Sequence, residues 1–70
     1  MGPYYNFLLL VFTHGRSSRF HLENLERGKF KDLIDECLAQ KYIMVCGKNK
    51  SGDALYSITS KGRQIIDGQK

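Results

Sequence analysis

Phe30-Lys31-Asp32-Leu33-Ile34-Asp35-Glu36-Cys37-Leu38-Ala39-Gln40-Lys41-Tyr42-Ile43-Met44-Val45-Cys46 changes its hydrophobic period partway along. In the first part Phe30, Leu33, Ile34, Cys37 and Leu38 recur at helical spacing, with Asp32, Asp35, Glu36 and Ala39 on the opposite face. This predicts a helix over 29–41. From Tyr42 the period falls from about 3.6 residues to about 2, and Tyr42-Ile43-Met44-Val45-Cys46 is rich in strand formers. A second such run, Ala54-Leu55-Tyr56-Ser57-Ile58-Thr59, follows the polar, glycine-bounded loop Gly47-Lys48-Asn49-Lys50-Ser51-Gly52-Asp53. The two runs predict a hairpin, with Ile43, Val45, Tyr56 and Ile58 turned toward the core.

The segments on either side fit one domain. Over 4–13, Tyr4, Tyr5, Phe7, Leu8, Val11 and Phe12 cluster on one side of a helix, and Asn6 and Thr13 mark the other. Gly15 is placed to close that helix, and 14–19 reads as a turn. Phe20-His21-Leu22 alternates apolar and polar, which predicts a very short strand, and 23–27 makes one helical turn ending at Gly28. After the hairpin, Thr59 or Ser60 caps a last short helix carrying Ile65 and Ile66, which Gly68 ends.

Composition narrows the possible functions. Seventy residues match one small domain, since domains run from about 50 to 250 residues. A dinucleotide fold with its own substrate domain, or a TIM barrel, does not fit. The apolar fraction of 41% with 26% charged residues is that of a folded protein. A net charge of +4 favours an anionic partner. Cys37 and Cys46 form no CxxC pair, so reduced thiols and a cytoplasmic setting are expected. The run Phe7-Leu8-Leu9-Leu10-Val11-Phe12 is far short of the roughly 20 residues of a membrane span, and no basic residue precedes it as in a signal peptide.

Chemistry-bearing motifs are few. His14, His21, Cys37 and Cys46 match no zinc spacing, so no metal is expected. Gly47-Lys48-Asn49-Lys50-Ser51-Gly52 lacks the closing Lys and Ser or Thr of a phosphate loop, because Asp53-Ala54 stands there. Ser17 and Ser18 read as turn and cap residues, and no nucleophile with a base and an acid assembles. The expectation is a non-enzyme without cofactors.

The order of helix, short strand, short helix, helix, two-stranded hairpin and short C-terminal helix resembles an α+β winged helix-turn-helix domain. The resemblance is carried by Leu33-Ile34-Asp35-Glu36-Cys37-Leu38-Ala39-Gln40-Lys41-Tyr42-Ile43, similar to a recognition helix entering the first wing strand. It is carried also by Tyr56-Ser57-Ile58-Thr59-Ser60-Lys61-Gly62-Arg63, similar to the close of the wing and the start of the last helix. The two stretches cover about half the chain and point to no subfamily. Only six residues, 23–28, separate Leu22 from Lys29, so the second helix and its turn are abbreviated.

The resemblance implies double-stranded DNA as partner, with a helix in the major groove and the wing on the backbone or minor groove. The candidate contacts are Arg16, Arg19, Lys29 and Lys31 at the helix start, where free backbone N–H groups also attract phosphate, and Lys48, Asn49 and Lys50 at the wing tip. A small transcriptional regulator or accessory factor is the implied function. Charge is unevenly spread: residues 1–22 carry +2, 23–44 carry −1 and 45–70 carry +3. Asp32, Asp35 and Glu36 thus put an acidic face on the recognition helix, which points to the alternative of a winged-helix protein-interaction module without DNA binding. Leu9 and Leu10, flanking the polar stripe of the first helix, are the candidate contacts of a homodimer.

Overall fold

The structure is a computed structural model and describes residues 4–68. The single domain expected over 1–70 extends into residues 1–3 and 69–70, which lie outside the described residues. In chain order the elements are α1 (Tyr5–His14), β1 (Ser17–Ser18), α2 (Arg19–Asn24), a 3-10 turn (Leu25–Gly28), α3 (Leu33–Ala39), β2 (Ile43–Lys48), β3 (Ala54–Ile58) and α4 (Ser60–Asp67). Among the described residues the fold is α+β, with four helices and a three-stranded antiparallel sheet of order β1-β3-β2. β3 is central, because Ser17 and Ser18 pair with its Tyr56 and Leu55 while Ile43 and Val45 pair with its Ile58 and Tyr56.

α1 supplies Phe7, Leu8 and Val11 to the core, where they meet Leu22, Leu25, Phe30, Ile34, Cys37 and Ile43. The rings of Phe7 and Phe30 lie 5.7 Å apart in a tilted pair. Asn6 and Thr13 are exposed, as the helical phase requires. Phe12 departs from its expected place on the packed side. It is 45% exposed, and the Arg63 guanidinium of α4 covers its ring at 4.7 Å. α1 ends where Gly15 turns to φ 75° and returns its N–H to the Val11 carbonyl, a conformation that costs glycine little.

The strand expected at Phe20-His21-Leu22 is a helix instead. Ser18 Oγ accepts the His21 N–H and caps α2, so the helix starts at Arg19 and the strand withdraws to Ser17–Ser18. Alternation misled because Phe20 and Leu22 differ in environment: Leu22 is fully buried and Phe20 is 76% exposed. The expected helical turn over 23–27 is also displaced. Glu26, Arg27 and Gly28 take φ of 49°, 59° and 83°, a left-handed run that reverses the chain in very few residues. For Glu26 and Arg27 this costs about 1–2 kcal/mol each.

The helix expected over 29–41 is reduced to Leu33–Ala39. Residues 29–34 descend through turns in which Lys29, Lys31, Leu33 and Ile34 donate their N–H groups to the carbonyls of Glu26, Gly28, Phe30 and Lys31. Its apolar face is as expected, with Ile34 and Cys37 fully buried and Leu33 and Leu38 packed against the core. At the other end Lys41 sits at φ 63°, donating to Leu38 O, while Tyr42 N–H reaches Cys37 O at 2.8 Å. That pair of bonds closes the helix as a Schellman motif, with lysine where glycine is common.

β2 and β3 form the expected hairpin with shifted limits. β2 continues through Gly47 and Lys48, because a bulge at the Val45/Gly47 step lets Cys46 stand outside the register. Ile43 is buried, and Tyr56 and Ile58 pack on the core. Val45 does not join them: it is 50% exposed because β2 is an edge strand that outruns the core here.

Thr59 caps α4, its Oγ1 accepting the Gly62 N–H at 3.0 Å. The same hydroxyl donates to the Lys41 carbonyl at 2.6 Å, and Thr59 N–H donates to Tyr42 O at 2.9 Å. Gly62 is buried against this corner, and a Cβ there would collide with the Tyr42 carbonyl oxygen and lie 2.7 Å from Ile58 Cγ1. Gly62→Ala is therefore expected to destabilise the fold by about 1–3 kcal/mol through overpacking against backbone, read as a lower urea midpoint.

A second expectation follows from Cys37. Burial pushes its thiol up to about 12, with neighbouring Glu36 adding to the effect. The unfolded chain ionises this group near its ordinary value of 9.0, so above that pH the unfolded state binds fewer protons than the folded one. Stability should fall as pH rises from about 9 toward 12, by up to about 1.4 kcal/mol per pH unit. Urea unfolding across that range should show a shallower fall in Cys37→Ala than in the parent chain.

Candidate nucleic-acid interface

The basic residues expected at one contact surface occupy separate places. Arg16 is exposed in the bend before β1, beside the Ser57 end of β3 by the register of Ser17 with Tyr56. The hairpin tip lies off the opposite end of β3, about 10 Å or more away at the strand rise per residue. Lys31 is exposed. Lys29 holds its ammonium 5.6 Å from the Phe30 ring and lines a shallow concavity with Asn6, Leu9, Leu10 and Glu26. Both lysines precede α3, and the N–H groups of Lys29, Lys31, Leu33 and Ile34 donate to carbonyls of the preceding turns. Those four groups of the expected phosphate cradle are thus taken by the chain itself.

Arg19 is committed to structure. Its Nε donates to Glu23 Oε2 and its Nη2 to Asp35 Oδ1, both at 3.0 Å, which links α2 to α3. These carboxylates, Asp35 foremost, raise its pKa further. On α3, Asp32, Asp35 and Glu36 are exposed as expected. Glu36 accepts the Tyr4 hydroxyl proton at 3.0 Å, a bond that raises the tyrosine pKa by favouring the neutral phenol beside a carboxylate. A tilted ring pair of Tyr4 and Tyr42, 5.4 Å apart, joins the start of α1 to the α3–β2 corner.

The hairpin tip is the built part of the site. Asn49 Oδ1 accepts the N–H groups of Ser51 and Asp53, both at 2.9 Å, and Asn49 N–H donates to Asp53 O. Asn49 thus shapes the loop, and its carbonyl oxygen is not free to read a base. Lys48 and Lys50 on either side are exposed. Among the described residues, the ion pairs are the two made by Arg19, so neither hairpin lysine is neutralised.

Sequence reasoning passed over Lys41, Lys61 and Arg63. Lys61 lies 5.2 Å from the Tyr42 ring, and Arg63 covers Phe12. The sequence signal of Lys61 and Arg63 was the Lys-Gly-Arg run of the last helix, whose place is seen only once α4 is set against Tyr42 and α1. Of the candidate dimer contacts, Leu9 is 36% exposed, whereas Leu10 packs partly on the core. No described helix is long and apolar enough to cross a membrane.

No protein-family model, no curated protein and no solved structure matches the chain. The geometry of the molecule itself therefore carries the functional reading. Because Arg19 is held by two carboxylates, Arg19→Ala should leave duplex-DNA affinity within about twofold of the parent chain, while lowering stability by about 0.5–1 kcal/mol. Anisotropy titration and urea unfolding of the same variant check the two halves.

Proposed function

We propose that the chain is a small DNA-binding protein of winged-helix type, a transcriptional regulator or accessory factor whose main contact is its β2–β3 wing. The element order α1-β1-α2-α3-β2-β3-α4 and the sheet order β1-β3-β2 support the winged-helix assignment. The observation that carries the function is the hairpin tip, where Lys48 and Lys50 stand exposed and, among the described residues, without ion pairs on a loop braced by Asn49. Phosphate contacts of this kind give affinity without reading sequence. Arg16 and Lys31 are exposed away from the tip, and Asp53 at the base of the loop offsets part of its charge.

A second reading has its own support. The exposed face of α3 carries Asp32, Asp35 and Glu36, and a carboxylate presented to a phosphate track is repelled. α3 also has only seven residues. These features favour a protein-interaction module that uses the same scaffold without DNA.

Titration with mixed-sequence duplex DNA at two salt concentrations separates them. DNA binding should weaken steeply with salt, and Lys48→Ala with Lys50→Ala should lower the salt slope by about 1–2 at an unchanged melting temperature. Absence of binding at low salt would remove the DNA reading and leave the interaction module.

A further inference from the structure

A groove opens where the end of α3, the start of β2 and the start of α4 meet. Thr59 Oγ1 donates to the Lys41 carbonyl at 2.6 Å, which holds the first turn of α4 against the corner of Lys41 and Tyr42. Lys41, Ser60 and Lys61 therefore stand at one end of a groove of about 650 Å³, a volume in the range of small-molecule sites. β2 leads away from that corner. Its Met44 and Val45, 56% and 50% exposed, line the groove together with Leu38 and buried Ile43. No carboxylate is among the lining side chains, and Lys41 and Lys61 make no ion pair among the described residues. The groove thus joins a cationic end to an apolar one.

We propose that this groove binds a free medium-chain fatty acid. The carboxylate meets the ammonium groups of Lys41 and Lys61, with the Ser60 hydroxyl as a further donor, and the acyl tail lies on Leu38, Met44 and Val45. Charge and satisfaction of polar groups select the occupant. An extended peptide must find partners for its own backbone, and Ile43, 1% exposed, offers it none. An acyl tail carries no such groups. Nucleic acid is disfavoured because Leu38, Ile43, Met44 and Val45 offer phosphates nothing. Length sets the tail, since the four steps from Lys41 to Val45 span at most about 14 Å, room for about ten carbons. The groove shares no residue with the candidate DNA contacts, so it stands whether or not the wing binds DNA.

The test is an amide-resolved NMR titration of the full chain with sodium octanoate, kept well below its micelle concentration. Amides of Lys41, Met44, Val45, Ser60 and Lys61 should shift most, on one saturable curve. Octanoate should bind at least about fivefold more tightly than octanol, which lacks the charge, or acetate, which lacks the tail. Lys41→Gln with Lys61→Gln should remove the preference for octanoate over octanol. Met44→Glu, at an exposed position, should weaken octanoate binding about tenfold by setting a like charge beside the tail while the cooperative melt is retained. Equal affinity for octanol in the parent chain, shifts centred away from the groove, or no shifts at millimolar octanoate would overturn the proposal. So would a response of these amides to anionic lipid vesicles with none to free octanoate, which would assign the surface to a membrane.

Discussion

The corner formed by Lys41 and Tyr42 is the constraint on which the rest of the molecule depends. α3 ends there on a left-handed lysine, β2 begins there, and the end of β3 returns to it through Thr59. The carbonyls of Lys41 and Tyr42, just past the end of α3, are answered by one threonine, which also caps α4. Gly62 is required because the first turn of α4 lies on the Tyr42 carbonyl with no room for a methyl group. Backbone polar groups inside a fold must find partners, and here the partner is the residue that opens the next helix. The sheet, α3 and α4 are thereby fixed relative to one another in a chain with a small core.

The electrostatic arrangement follows from the same economy. Arg19, on the six-residue α2, is bonded to Glu23 of its own helix and to Asp35 of α3, which ties the two helices together. The α3 carboxylates are similarly engaged: Asp35 by Arg19 and Glu36 by Tyr4. Lys48 and Lys50 at the hairpin tip are free of such pairing among the described residues. The described surface thus includes an acidic helix face and a basic tip, two regions of different chemical preference on one short chain.

Much of the fold and part of the candidate site are legible residue by residue. The phase of Phe30, Ile34 and Cys37 places α3 on the core, the change of period at Tyr42 marks β2, and Thr59 ahead of Ile65 and Ile66 marks the α4 cap. These signals are local: a period or a cap is written within a few consecutive residues. Phe20-His21-Leu22 failed because three residues satisfy two periods, and the Ser18 cap with the Leu22–Leu25 spacing was the better guide. In the site, the exposed lysines flanking Asn49 were legible as a hairpin tip, but the bonding of Asn49 to its own loop was not.

What the sequence by itself determined is the α+β class, the order of the main elements, the core face of α3 and the acidic character of its other face. What only the tertiary structure decided is which charges are free. The fate of Arg19 depends on Asp35, sixteen residues away, and that of Arg63 on Phe12, on a helix at the other end of the chain. The exposure of Val45 depends on β3 taking the centre of the sheet and leaving β2 at its edge. Periodicity reports what a side chain does within its own element, whereas pairing, exposure and edge position are set by elements that meet only when the chain has closed on itself.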